Sequence, residues 1–477
     1  MALTPLDFVV VLAYFGALAG IGLYFSRRQD SAEEYYLGGR KIHWLLAGGS
    51  VLATLLSTIT YLSIPGEMIR YGITFFLGTL MIPLAAPVVN RVIMPAIRRQ
   101  PIRSAYEYLE KRYGPGMKRL ASIVFVTHTM VWSGIIFYTA SLAVAQVAGW
   151  SLAPTIVVMG VVTVVYTTAG GIRTVIWTDN LQLLILFGGA AAIPVWVAMK
   201  IGTGPGAWWE AFSRAGHAAP VYFSWDPTVR LTVFGTLLSV FAWEMCSHSS
   251  DQVAVQRYLS TPGLDEARRT LWTYATFRIL LGALLGFCGL ALFAFYLARS
   301  GADVAEIQRQ IAPTADRLMP RFIAEELPPG ISGLLLAALL AAAMSSLSSA
   351  INSTSNVLSG DLFARAEGGS LAMDRWLSIG AGVLGMGIAL TISAIVSSTG
   401  WNIVELTGRL NHIFVGPLAA LFFAGVLLPK VTPRGAFLGF GAGTLLSLYI
   451  CFSPISFNWV VPASVLTAVA VARIASK

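Results

Sequence analysis

The sequence predicts an all-α integral membrane protein, and three observations predict it. Of its 477 residues, 56% are hydrophobic and only 12% are charged. The apolar residues gather in runs of about 20, the length at which a helix crosses a hydrocarbon core roughly 30 Å thick. The charged residues sit in short clusters between those runs. Together these exclude a soluble globular chain. The formal charge of +9 would suggest nucleic acid in a soluble protein; here the placement of the basic residues accounts for it, and no nucleic-acid partner is expected.

About thirteen spans are expected, at residues 5–25, 44–66, 74–97, 120–148, 154–172, 178–199, 230–252, 270–297, 330–356, 374–397, 401–428, 433–452 and 457–473. The first run lacks a basic leading region and a small-residue cleavage site, so it reads as a retained span. With the amino terminus outside and residues near span ends counted with the nearer side, 22 of the 32 Lys and Arg lie on the cytoplasmic side, 8 lie outside, and Arg278 and Arg409 fall further inside spans. That bias predicts a multi-pass protein of the cell's inner (plasma) membrane, amino terminus out and carboxyl terminus cytoplasmic. The cluster Arg98, Arg99, Arg103, Lys111, Arg112, Lys118 and Arg119 is then a cytoplasmic anchor. No linker is long enough for a separate soluble domain, so residues 1–477 form one transmembrane domain, with a monomer as the expected functional unit. The longest external loops are 201–229 and 299–329, and the second carries an amphipathic stretch, Val304 to Leu327, expected to be helical and a plausible lid. Cys246, Cys288 and Cys451 lie in or at the ends of spans, show no metal-ligand spacing and imply no disulfide.

Two spans read poorly as uniform helices. The second contains Thr54, Ser57, Thr58, Thr60 and Ser63 before Pro65-Gly66, and the seventh contains Glu244, Ser247, His248, Ser249, Ser250 and Asp251. Polar interruptions at corresponding places in two halves point to a midplane site built from broken helices in inverted repeats. Hydroxyls bonding back to carbonyls one turn earlier are the plainer alternative for any single residue.

The ninth span carries the strongest chemistry. Ser345, Ser348 and Ser349 recur at helical spacing and project from one face, with Ser346 on the adjacent stripe. Several neutral oxygens in a small volume suit a hard monovalent cation, although a small-residue packing face is the competing reading. Asp179, at the start of the sixth span, is costly at membrane depth unless paired or bound to a cation. A solvated cap at a helix start is its alternative reading.

Tyr166 to Gln182, with Ala169-Gly170-Gly171 and Trp177-Thr178-Asp179, resembles a signature of the sodium/solute symporters. So do Leu327 to Ser353, Gly48 to Thr54 and Asp251 to Tyr258. Four ordered motifs spread over nearly the whole chain make the resemblance specific. It implies a leucine-transporter-like five-plus-five inverted repeat with one extra N-terminal and two extra C-terminal helices. The leading helix is then 5–25, the first repeat 44–199, the second 230–428 and the trailing helices 433–473. It also implies a conserved sodium site from the carbonyls of Ala53, Leu56 and Ala342 with the hydroxyls of Ser345 and Ser346. A second sodium site, similar to one in the sodium/sialic acid branch, would use Asp179, Ser345, Ser348 and Ser349.

The same resemblance places a solute near Ser57, Thr60, Phe75, Thr79, Glu244, Ser247, Arg278 and Glu405. Glu244, Arg278 and Glu405 are ionisable groups within spans, which is a functional signal in itself. Arg278 is equally suited to pairing with one of the carboxylates. Where the sialic acid branch holds its substrate carboxylate with an arginine, this chain has Trp132. Other stretches, Pro65 to Gly72 and Ile136 to Gly149, look like the branch that carries monocarboxylates, iodide and vitamins. Carboxylates at 244 and 405 disfavour a bare halide. The implied activity is sodium-coupled import of a sugar, sugar acid or monocarboxylate, with Na+ and lipid as the other partners. A proton-coupled symporter using Asp179, Glu244 or His248 is the first alternative, and a transporter-derived sensor or channel the second. No Gly-x-Ser-x-Gly elbow or metal motif suggests an enzyme.

Overall fold

The leading helix α1 (Pro5–Ser26) buries one stripe, Asp7, Val11, Tyr14, Leu18 and Gly22, while Leu12 and Leu23 stay exposed. That is the surface of a helix with protein on one side and lipid on the other. The structure, a computed structural model, describes residues 4–26, 31–218, 222–301, 303–363, 371–399 and 411–477. After α1 come α2 (Ala32–Leu37), α3 (Trp44–Leu55), α4 (Thr58–Tyr71) and α5 (Ile73–Arg98). They are followed by α6 (Ala105–Tyr113), α7 (Pro115–Ala148), α8 (Leu152–Ile201) and α9 (Pro205–Arg214). The second half holds α10 (Val233–Ser250), α11 (Gln252–Leu259), α12 (Leu264–Ser300), α13 (Val304–Ile311), α14 (Ala315–Glu326) and α15 (Ile331–Val357). α16 (Leu371–Thr399), α17 (Val415–Leu427), α18 (Pro433–Cys451) and α19 (Val460–Ile474) complete it.

Among the described residues, 9 helices are long and apolar enough to cross a membrane, or 10 when the bent pair α3–α4 counts as one span. One of the 9 is α8, whose 50 residues would reach about 75 Å if straight, more than twice a bilayer core. It is not straight: Gly171 takes φ 54° and ψ −152° inside it, a conformation open to glycine. A Cβ there would also lie 2.5 Å from the Tyr35 carbonyl oxygen. Residues expected as a loop at 173–177 are helical instead, so Asp179 lies inside a helix and not at its start.

Both expected interruptions are breaks. α3 ends at Leu55, and α4 leaves at 71° to it. Leu56 and Ser57 between them are extended, and the Ser57 side chain caps α4 by accepting from Thr60 N at 3.4 Å. α10 ends at Ser250; Asp251 is extended, and its carboxylate caps α11 by accepting from Val253 N at 2.9 Å. The expected cytoplasmic loop after residue 252 is a correction: its first part is the buried helix α11.

At the centre stands α15, whose apolar window is 94% buried against 22% for α1. It packs on α8, α7, α1, α16 and α3. The amphipathic stretch 304–327 forms α13 and α14, which lie over α4; Arg70 Nε donates to Ala312 O at 2.7 Å and Gln308 Nε2 to Ile69 O at 2.9 Å. The three cysteines are buried thiols. Residues 401–410, with Glu405 and Arg409, lie outside the described residues.

Candidate ion and solute site

A helix that stops leaves its last carbonyls without partners. At the end of α3 the Leu52 carbonyl still takes Leu56 N, and the next two are met from across the bundle. Ser345 Oγ donates to Ala53 O at 2.7 Å, and Ser346 Oγ donates to Thr54 O at 2.8 Å. Both hydroxyls also lie 3.3 Å from Ala342 O. Three carbonyls therefore share two hydroxyl protons, an excess of oxygen lone pairs in a buried volume. That donor set fits a hard monovalent cation. The expected ligands Ala53, Ala342, Ser345 and Ser346 are brought together here; Thr54 O, outside the expected set, takes the second hydroxyl. Leu56 sits at the break itself with φ −99° and ψ 100°.

One turn along α15 is a charged cluster. Asp179 Oδ2 accepts from Ser50 Oγ at 2.5 Å, Thr54 Oγ1 at 3.3 Å and Ser349 Oγ at 3.5 Å. Arg257 Nη2 stands 3.6 Å from the same oxygen, and both side chains are fully buried. Arg257 also donates to Ser50 Oγ at 3.2 Å, to Val253 O at 3.0 Å and to Ser349 Oγ. Asp179 Oδ1 is buried and has no hydrogen-bond partner among the described residues. Of the expected second-site set, Asp179 and Ser349 meet directly. Ser345 turns to the first cluster, and Ser348 Oγ bonds within its own helix to Ser345 O at 3.1 Å. The reading of Asp179 as a solvated cap is corrected by its burial. Arg257, placed in a loop by the sequence, is the residue that reading missed; its only signal was a place inside the Asp251–Tyr258 motif.

A cavity opens beside the break. Its wall includes Thr54 and Ser57, His128 and Trp132 of α7, Trp243, Ser247 and Asp251, Ser346 of α15, and Asn411. His128 Nε2 lies 3.1 Å from both Asn411 O and Oδ1. Of the eight expected solute residues, Ser57 and Ser247 line this cavity. Thr60 approaches Ser57 Oγ at 3.4 Å, while Phe75 and Thr79 are half-buried on α5. Glu244 is turned away from the cavity and tied into a buried cluster: His248 Nε2 at 3.2 Å, Tyr274 OH at 2.9 Å, and beyond them Tyr258 OH to His248 Nδ1 at 2.7 Å. Arg278 is half-buried on α12 and is not among the residues of this wall. Groups of three or more His, Cys, Asp or Glu that could hold a transition metal are absent among the described residues.

The Sodium:solute symporter family matches residues 35–443. The sodium/sialic acid symporter SiaT of Proteus mirabilis is 31% identical over 441 residues, covering 91% of this chain and 87% of that protein. The sodium-dependent multivitamin transporter of Oryctolagus cuniculus is 31% identical over 458 residues, covering 93% and 70%. The solved structure of a substrate-bound, outward-open Na+-coupled sialic acid symporter, whose report describes a novel Na+ site, superposes with TM-score 0.89 at 28% identity, covering 99% of this chain and 98% of that one. Match length, motif order and backbone agree: this is a transporter and not an enzyme, and it belongs to the sodium:solute symporter family.

Proposed function

We propose that this protein imports a small, polar, uncharged organic solute of sugar-like size, driven by sodium and by alternating access. The observation that carries the reading is that Thr54 and Ser346 belong to two places at once. Their oxygens join the carbonyl and hydroxyl cluster, and both residues line the cavity. An ion held there stiffens one wall of the solute chamber. Sodium then draws the ends of α3 and α15 together and favours the conformation in which the chamber is complete, since a ligand shifts an equilibrium only through differential affinity. The solute must tighten sodium by the same factor that sodium tightens the solute.

In this reading Ala53, Leu56, Ala342, Ser345 and Ser346 hold the first sodium, with Thr54 O beside them. Asp179, with Ser345, Ser348 and Ser349 of α15, receives a second. Thirteen spans in a five-plus-five inverted repeat, amino terminus out, place the chamber near the middle of the plasma membrane. The functional unit is the monomer.

Solute class follows from the wall. Trp132 and Trp243 offer flat apolar faces, and Asp251, Asn411 and Ser247 offer hydrogen-bonding groups. A hydroxylated ring uses both kinds of surface. Although SiaT carries sialic acid, Trp132 stands where a carboxylate-binding arginine is expected in that branch, and Asp251 repels anions. A proton-coupled reading is favoured by one observation, the buried Glu244–His248–Tyr258 chain. Uptake into proteoliposomes separates the two. Labelled aldoses, sugar acids, monocarboxylates and amino acids are offered under a sodium gradient, then under a pH gradient in potassium. Uptake of an uncharged solute only with sodium supports the proposal; uptake that ignores sodium and collapses with the pH gradient overturns it.

A further inference from the structure

α1 lies outside both expected repeats, yet two of its polar side chains reach the elements that carry the ion site. At one end Asp7 Oδ1 accepts from Gly330 N at 2.8 Å and Gly333 N at 2.7 Å, the backbone amides that open α15. A carboxylate at that point meets the positive end of the helix and fixes where it begins. The approach is close, for a Cβ on Gly333 would lie 2.7 Å from Asp7 Cα. Mid-span, Tyr14 OH accepts from Gln182 Nε2 at 2.9 Å and contacts Met344 Sδ at 3.6 Å. Gln182 is one turn beyond Asp179 on α8, and Met344 directly precedes Ser345. Tyr166 OH donates to the backbone of the same residue, Met344 O, at 3.0 Å.

We infer that α1 is a brace for the sodium site: Asp7 and Tyr14 are positioning residues that hold α15 in register against α8 and thereby set sodium affinity without touching the ion. The inference rests on the sodium reading of the Ser345–Ser346 cluster. Sodium needs oxygens from several chain segments within a narrow range of distances, and Ser345 is one residue from the Tyr14 contact. Sliding α15 along its axis by a fraction of an ångström spoils the distances to Ala53 O and Thr54 O together. Asp7 resists sliding at the helix start, and Tyr14 resists rotation at the site.

The test is 22Na+ binding to the purified full-length protein, with no solute present. Tyr14→Phe and Asp7→Ala are each expected to raise the sodium Kd three- to tenfold with the number of bound ions unchanged, and to change the Na+/Li+ preference. Asp7→Asn, whose amide oxygen still accepts both backbone N–H groups, is expected to restore most of the affinity. Leu12→Ala, on the exposed face of α1, should match the parent. A merely structural role lowers binding capacity and melting temperature with the Kd of the remaining folded protein unmoved, and that result overturns the inference. An unaltered Kd in both Tyr14→Phe and Asp7→Ala overturns it also. A parent chain that binds no 22Na+ at all fails the sodium reading itself, so the two failures are distinguishable.

Discussion

Arg257 Nη2 stands 3.6 Å from Asp179 Oδ2 with neither side chain exposed, so the acidic residue most suggestive of a cation site already has one cationic partner from the protein. Breaking such a pair by removing one member typically costs about 3–5 kcal/mol, because a buried charge is left alone. Arg257→Met should therefore lower thermal stability sharply in potassium or choline buffer. If Asp179 Oδ1 attracts sodium, part of that loss returns in sodium, since the ion replaces the missing charge. The double variant Asp179→Asn/Arg257→Met should be more stable than Arg257→Met alone in sodium-free buffer. Thermal denaturation of detergent-solubilised protein in the two salts checks both statements, and a sodium-induced rise in melting temperature no larger in Arg257→Met than in the parent removes the second ion.

Loss of one hydroxyl of the first cluster tests the coupling more directly. Ser346→Ala deprives Thr54 O of its donor inside the protein, an omission that costs about 1–3 kcal/mol. On the ion the same change should raise the half-saturating sodium concentration about tenfold or more, as about 1.4 kcal/mol corresponds to tenfold. Because linkage is reciprocal, the apparent solute affinity at fixed, limiting sodium should fall too and recover at high sodium. Ser346→Thr keeps the hydroxyl and should retain coupling. Sodium titrations of uptake at two solute concentrations read this out.

Gly171→Ala addresses the turn within α8. The residue holds φ 54° and ψ −152°, which an L side chain adopts at a cost of order 1–3 kcal/mol. The added methyl also meets the Tyr35 carbonyl at 2.5 Å. Expression of folded, monodisperse protein should drop, whereas Gly188→Ala in the same helix, with nothing near its Cβ position, should be tolerated. Fluorescence-detected size exclusion compares the two.

Much of this was legible because the bilayer simplifies the sequence. Long apolar runs gave most helices, and the hydroxyl-rich stretches around Ser57 and Asp251 gave both breaks, since freed backbone groups at that depth need polar company. The motif glycines were visible as motif but not as cause. Gly48 and Gly49 are now explained by contact, with a Cβ at 2.5 Å from Thr273 Cβ and at 2.2 Å from Asn180 Oδ1. Arg257 was not legible as a buried partner. Gln252, Gln256 and Arg257 make α11 too polar for any hydropathy window, so burial reaches it only through the helices folded over it. Glu244 was legible as an intramembrane carboxylate in need of partners, and His248 and Tyr274 are the ones the structure gives it.

Asp251→Asn distinguishes solute charges with little harm to the fold. Asn caps helices about as well as Asp, so the bond to Val253 N that starts α11 survives. What changes is the formal charge on the cavity wall. A neutral hydroxylated solute exchanges one hydrogen-bond acceptor for another, and its KM should rise less than about tenfold, because a hydrogen bond to a charged group is worth about 1.5–3 kcal/mol and most of it is retained. A cationic solute would lose a nearby opposite charge in a low-dielectric chamber and fall much further. An acidic solute would gain. Trp132→Ala, against Trp132→Phe, supplies the second axis: loss of the flat face should weaken a ring-shaped solute about three- to tenfold, following the 0.5–1.5 kcal/mol by which aromatic contacts exceed their area, and Phe should recover most of it. Improved uptake of sugar acids in Asp251→Asn with indifference to Trp132→Ala would move the assignment from neutral sugars to anions.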